Sequence, residues 1–370
     1  MLLCSLRTSL RAQPSLVRSM ASSAPLRKPV SLLTPGELSD LLKKGRDDVR
    51  VVDASWTMPG VERYPFKEYR GKRIPGAAFW DVDQIASKSD VGVPHNIPSQ
   101  AIFEDACSRL GIARESHVVV YDSTGVFSSP RTAFTFKHFN HPLVSVLDGG
   151  LPRWEAEGHP IDTSVPANPN PHALPDGHLP AYGPIFSELL YAKKPRVESY
   201  FIADIEENFT EYKVEEGHER DDVRQWEDVR ANIAKGENGG EVVLDARPEG
   251  RFHGTSPEPR PSLSSGHIPH SLSLPFSAVL SAESSTSPSY KTLLPAAELE
   301  KVFERAMGPE TWEQVKKGER GVTTTCGSGM TAAVLWLALQ RAGASEKVAI
   351  YDESWTGYAS RPESEIVKSS

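Results

Sequence analysis

Cys326 stands in Val-Thr-Thr-Thr-Cys-Gly-Ser-Gly-Met-Thr, residues 322–331. The β-branched run before it reads as a strand, and the apolar stretch after it, Ala-Ala-Val-Leu-Trp-Leu-Ala-Leu-Gln-Arg, reads as a helix. Parallel α/β sheets gather ligands beyond the carboxyl ends of their strands, where this cysteine falls. Gly327, Ser328 and Gly329 let the backbone turn several N–H groups toward one point. The start of the following helix adds partial positive charge. Both features favour an anion, and a thiolate is an anion; lowering its pKa supplies more nucleophile at neutral pH. On the local sequence alone, a cysteine that merely packs is an equal alternative.

A second group is cationic. Arg251 and Arg260 lie nine residues apart in Gly-Arg-Phe-His-Gly-Thr-Ser-Pro-Glu-Pro-Arg. A guanidinium fork donates two hydrogen bonds at once and suits a carboxylate. Without further context, each would read as a solvated loop charge. Arg247, two residues past Asp245, reads as the partner of a structural ion pair.

The elements that must carry these groups form a repeat. Two strand-like runs end in aspartate, at Asp53 and Asp245, and each is followed by an Ile-Pro phrase, 22 residues on at Pro75 and 24 residues on at Pro269. Two later runs, His-Val-Val-Val-Tyr-Asp and Gly-Val-Thr-Thr-Thr-Cys, align Asp122 with Cys326. From Asp122 to Asp148 is 26 residues, as from Cys326 to Asp352. The expectation is an α/β protein of two tandem domains, about 30–160 and 226–365, each a mostly parallel sheet flanked by helices. Residues 161–225 read as a proline-rich linker followed by a charged insertion without assigned chemistry. One copy carries a thiol and the other an aspartate, so the first domain is expected to be non-catalytic. Asp53, Asp148, Asp245 and Asp352 read as strand-end carboxylates with structural duties, and Trp56 and Trp355 as packing residues.

Composition bounds the rest. The chain has 370 residues, 38% hydrophobic and 24% charged, with a net charge of −8, which argues against a general nucleic-acid binder. Three cysteines make no disulfide framework and suit a reducing compartment. No apolar run reaches the ~18 residues of a membrane span. Residues 1–36 hold no acid but carry Arg7, Arg11, Arg18, Arg27 and Lys28 among serines and leucines. That pattern predicts a mitochondrial presequence over about 1–29. A second start at Met20 would omit three of those arginines and allow a cytoplasmic form as well.

The order Asp-Ala-Ser-Trp, Ile-Pro-Gly-Ala-Ala-Phe-Trp-Asp-Val-Asp, Ser-Val-Leu-Asp-Gly-Gly-Leu-Pro-Arg-Trp, Leu-Asp-Ala-Arg-Pro-Glu-Gly-Arg-Phe-His-Gly-Thr, Gly-His-Ile-Pro, Thr-Cys-Gly-Ser-Gly and Tyr-Asp-Glu-Ser-Trp resembles the two-domain rhodanese-type sulfurtransferases. The Cys-Gly-Ser-Gly loop is similar to that of members acting on 3-mercaptopyruvate. Thiosulfate-specific members carry basic residues after the cysteine, where Gly327 and Ser328 stand here, and Met330 takes a place often held by valine. The resemblance implies two rhodanese-like domains and a Cys326 persulfide formed from 3-mercaptopyruvate with release of pyruvate. The sulfur would then pass to thioredoxin, another thiol acceptor or cyanide, with no metal or organic cofactor, no direct nucleic-acid partner and no membrane. It also implies that Arg251 and Arg260, with Gly327 and Gly329, bind substrate, and that Ser328, His95 and Asp83 form a proton relay. Asp83 and His95 come from the first domain, which places the site in the cleft between domains. Two alternatives share the fold: a thiosulfate sulfurtransferase, and a sulfur relay protein for tRNA thiolation. A cysteine phosphatase would need arginine at position 332, where this chain has Ala332.

Overall fold

The computed structural model describes residues 29–166, 210–215 and 220–368. The expected presequence and most of the expected linker and insertion lie outside the described residues.

The first sheet contains β1 (Ser31–Leu33), β2 (Val49–Asp53), β3 (Ala78–Phe79), β4 (His117–Tyr121) and β5 (Val144–Leu147), in the order β1-β5-β4-β2-β3. The second contains β6 (Val223–Arg224), β7 (Val242–Asp245), β8 (Ser271–Ser273), β9 (Val322–Thr325) and β10 (Val348–Tyr351), in the order β6-β10-β9-β7-β8. Every pairing in both sheets is parallel, and the two topologies are the same. The central strands β4, β9 and β10 are buried along their whole length, which is why they read as continuous apolar or β-branched runs rather than as alternating ones.

Helices cover the sheets. The first, Pro35–Lys43, starts with a capping box: Glu37 N–H donates to Thr34 Oγ1 at 3.3 Å, and Thr34 N–H donates to Glu37 Oε2 at 2.8 Å. Helix Ser129–His138 follows β4, and helix Ala332–Arg341 follows β9. These two pack on each other, with Phe134 edge-on to Trp336 at 5.1 Å between ring centroids. One apolar cluster runs from Val52 and Val120 through Phe134 and Trp336 to Leu244 and Ile350, so the two domains share a core. Burying such side chains contributes about 1.5–3 kcal/mol each, which fixes the loops on either side of the cleft.

Two aspartates reach across in matching ways. Asp148, after β5, accepts the N–H of Leu293 at 2.9 Å. Asp352, after β10, accepts the N–H of Ile97 at 2.8 Å. Each carboxylate grips the segment that follows the third strand of the other domain. Residues 210–215 lie on the first domain, where the Tyr212 hydroxyl meets His141 Nδ1 at 2.8 Å.

Candidate active site

Cys326 follows β9 directly and is only 2% exposed. Its N–H donates to Ser354 Oγ at 3.1 Å, and its carbonyl accepts from Trp355 N–H at 3.0 Å. The Gly327 carbonyl takes two more bonds, from Thr356 N–H at 2.9 Å and Thr356 Oγ1 at 2.6 Å. The segment after β10 therefore anchors the start of the loop. Gly329 has φ +83°, and a methyl carbon built on it would lie 2.7 Å from the Asp352 carbonyl oxygen. Only glycine fits there, by both conformation and space. A carbon on Gly327 would sit 3.2 Å from Nη2 of Arg251, so that guanidinium lies directly over the loop.

Ser328 meets a histidine from the other domain. His95 Nε2 lies 2.8 Å from Ser328 Oγ, and His95 Nδ1 lies 2.9 Å from Asp83 Oδ1. The imidazole is buried completely. His95 has φ +47°, a region that non-glycine residues seldom occupy. Asp83 also receives the indole N–H of Trp56, at 3.2 and 3.1 Å from its two oxygens, and Trp56 stands edge-on to His95 at 5.2 Å. Trp56 therefore packs, as its sequence context suggests, and also orients the aspartate.

The two arginines meet the loop by different means. Arg251 donates Nε to both oxygens of Glu258 at 3.1 Å and Nη2 to Oε2 at 2.5 Å. Glu258 also takes Arg247 Nη1 at 2.8 Å, while Arg247 forks onto Asp245 at 2.6–3.0 Å and lies 4.1 Å over the Trp355 ring. Arg260 is held below the usual arginine pKa, first by burial and then by the charge of Arg251; Cys326, Glu258 and Asp83 act in the opposite sense. Arg251, over the Gly327 backbone, and Arg260, which feels the charge of Cys326, bring two cations to the loop, and the Glu258 carboxylate bonded to Arg251 offsets one of them. All the residues singled out by the sequence (Cys326, Gly327, Ser328, Gly329, Arg251, Arg260, His95 and Asp83) converge on this cleft between the domains.

Sequence reasoning did not single out Glu258 or Arg131, and marked Trp56 for packing without its bond to Asp83. Glu258 sits between two prolines in a loop that reads as exposed, yet its side chain is almost completely buried. The proximity of three arginines at 247, 251 and 260 was the only signal that a buried acid should stand among them.

A family model, the Rhodanese-like domain, matches residues 34–157 and again 225–361. The chain belongs to the two-domain rhodanese-type sulfurtransferases. Among curated proteins it is 36% identical to thiosulfate/3-mercaptopyruvate sulfurtransferase 2 of Arabidopsis thaliana, over 95% of this chain and 93% of that one. It is 35% identical to the mitochondrial thiosulfate/3-mercaptopyruvate sulfurtransferase 1 of the same plant, over 85% and 73%. Among solved structures, the Tum1 protein from Saccharomyces cerevisiae superposes with a TM-score of 0.70 at 27% identity, covering 92% of this chain and 98% of that one. Among the described residues, no helix is long and apolar enough to cross a membrane.

Proposed function

We propose that this protein is a 3-mercaptopyruvate sulfurtransferase whose nucleophile is Cys326. The observation that carries the proposal is the 2.8 Å contact of His95 with Ser328, two residues from the cysteine and backed by Asp83. A donor that leaves as a carbanion equivalent needs a proton at that place; a donor that leaves as a stable anion does not.

Arg251 and Arg260 hold the carboxylate and ketone of 3-mercaptopyruvate over the loop, with the N–H groups around Gly327 and Gly329 facing the reacting sulfur. The Cys326 thiolate attacks that sulfur, and a new S–S bond forms while the S–C bond breaks. The released electron pair becomes the enolate of pyruvate. The Ser328 hydroxyl delivers a proton to the methylene carbon, His95 restores the proton to Ser328, and Asp83 holds the imidazole and balances its charge. Cys326 is left as a persulfide. A thiol acceptor of the thioredoxin type attacks the outer sulfur and regenerates the thiolate; cyanide serves equally as a small acceptor. The acid-free first 36 residues and the mitochondrial relative support a mitochondrial location, with a shorter form from Met20 in the cytoplasm.

The deciding test compares kcat/KM for 3-mercaptopyruvate and thiosulfate on the chain lacking residues 1–20, with intact mass read after each donor. A strong preference for 3-mercaptopyruvate, with a gain of one sulfur that Cys326→Ser removes, supports the proposal. A thiosulfate preference moves the protein to the sister activity. A mass gain from a protein donor alone, without turnover of either small donor, makes it a relay protein.

A further inference from the structure

Arg131 lies in helix Ser129–His138 of the first domain, and its side chain is only 3% exposed. It pairs with Asp352 of the second domain. The same Nη2 donates to the backbone carbonyl of His95 at 3.0 Å. Its Nη1 is buried without a hydrogen-bond partner and would lie 3.2 Å from a carbon built on Gly329. Asp352, in turn, holds the N–H of Ile97 at 2.8 Å. One ion pair therefore touches both ends of the His95–Ser328 contact: the backbone on either side of Asn96, and the glycine that follows Ser328.

The other half of the molecule serves as a control. Asp148 makes the matching grip on Leu293, but the cation bonded to it is Arg153 of its own domain, at 3.1 Å; the exposed Arg341 of the second domain adds its charge without a bond. Helix Ala332–Arg341, the counterpart of the helix that carries Arg131, is apolar from Ala332 to Leu339. Holding the two domains together thus needs the aspartate and not a buried cation across the interface. Among the described residues, a buried cation bonded across the interface stands on the side with the cysteine, and there it is bonded to a histidine whose φ of +47° few residues adopt unaided.

We propose that Arg131 is a positioning residue for proton delivery: by bonding the His95 carbonyl and Asp352 together, it keeps the imidazole aimed at Ser328. This rests on the reading of the protein as a 3-mercaptopyruvate sulfurtransferase. Arg131 itself touches no substrate. Loading of Cys326 from thiosulfate expels sulfite, which needs no proton, and so reports the cysteine and its loop independently of the relay.

The test measures kcat and KM for 3-mercaptopyruvate, persulfide formation from thiosulfate by intact mass, and the melting temperature. It uses the full chain, Arg131→Lys, and the double variant Arg131→Met/Asp352→Asn. Lysine keeps the charge but offers one point donor in place of a planar fork, so it cannot hold both partners in the same geometry. The double variant leaves no buried charge unpaired and keeps an acceptor for Ile97, so it guards against an Arg131→Lys protein that fails to fold. The expected result in either folded variant is a kcat for 3-mercaptopyruvate lower by about 10- to 100-fold, up to the cost of a small misplacement of a catalytic group and no more than the smallest contribution of a general acid–base group itself. KM and thiosulfate loading should change by less than about threefold, since neither passes through the relay. An unchanged kcat overturns the proposal, and so does an equal fall with both donors, which would mark a purely structural role. Absence of 3-mercaptopyruvate turnover in the unmodified chain would instead defeat the donor assignment, and this proposal with it.

Discussion

The loops after β4 and β9 are the same structural feature used in two ways. After β4, the carboxylate of Asp122 turns back into its own loop. Its two oxygens accept the N–H groups of Thr124, Gly125, Phe127, Ser128 and Ser129 at 2.7–3.1 Å, and the Ser129 hydroxyl at 2.7 Å. After β9, residues 326–331 contain no acid, and a thiol stands where the carboxylate would. The first loop shows what this backbone shape does: it gathers N–H dipoles around one negative charge. In the first domain the acceptor is a carboxylate built into the chain. In the second it is left for the sulfur chemistry to supply.

The mouths of the two sheets differ in the same sense. In the first domain a cavity of about 380 Å³ is lined by Asp53, Ser55, Arg63, Glu68, Ser123 and, from the second domain, Pro288. Arg63 is tied to Glu68 at 2.5 Å, much as Arg251 is tied to Glu258. A counterpart of Arg247 is missing, because Ser55 follows Asp53 where Arg247 follows Asp245.

The comparison can be broken most severely at the nucleophile. Cys326→Ser is expected to lower turnover by roughly 10³-fold or more, the scale of losing a covalent nucleophile, and adding Asp122→Cys should restore nothing. Recovery in that double variant would show that the first domain retains a competent site. Next, Ser328→Ala should reduce kcat for 3-mercaptopyruvate by about 10²-fold, with little loss in thiosulfate loading; equal losses for both donors would remove the relay. Arg251→Ala and Arg260→Ala should each raise KM for 3-mercaptopyruvate roughly 10- to 100-fold, the equivalent of losing about 1.5–3 kcal/mol from hydrogen bonds to a charged group. Unchanged KM in both variants would contradict the carboxylate clamp.

Two smaller effects belong to the first domain. Asp122→Ala should destabilise the protein by about 3 kcal/mol, because buried donors lose their acceptor, while folded molecules keep their activity; denaturant titration with specific activity separates the two. Asp53 is fully buried, and burial lifts its carboxyl to about 6, against the lowering effect of bonds from Ser55. A raised carboxyl pKa means that the folded state holds the proton more tightly. Its contribution is complete below the ordinary carboxylate value and is lost as pH rises through about 6. Asp53→Asn should therefore flatten the stability profile between about pH 4 and 6; an unaltered slope would assign the proton elsewhere.

The repeat and the parallel sheets could be read from the sequence because buried parallel strands are short continuous apolar runs, and four such landmarks recur at matching intervals. The nucleophile loop was readable for a similar reason, since a strand, a small-residue turn and a helix are all local signals. The His95–Ser328 contact was not local: 233 residues separate the two, and only the motif resemblance brought them together. Arg131 had no signal at all. It lies in Ser-Pro-Arg-Thr-Ala-Phe, where no local pattern marks a buried charge, and its partner lies 221 residues away. Glu258 was hidden in the same way. The partner of Arg131 is remote, whereas those of Glu258, Arg247 and Arg251, are only 11 and 7 residues away. In both cases ion pairs leave no periodicity, and burial of the charge is decided by packing that the local sequence does not spell out.

The crossing of His95 to Ser328 also bears on inheritance. The two halves repeat one fold, and the contact beside the cysteine is written across both of them. The first half carries a carboxylate where the second carries the thiol, and the imidazole bonded to Ser328 comes from the first half; under the proposed relay, neither half serves sulfur transfer from a carbon-bound donor without the other. Lesions in the first third of the gene, far in sequence from the cysteine codon, would present as defects of cysteine chemistry.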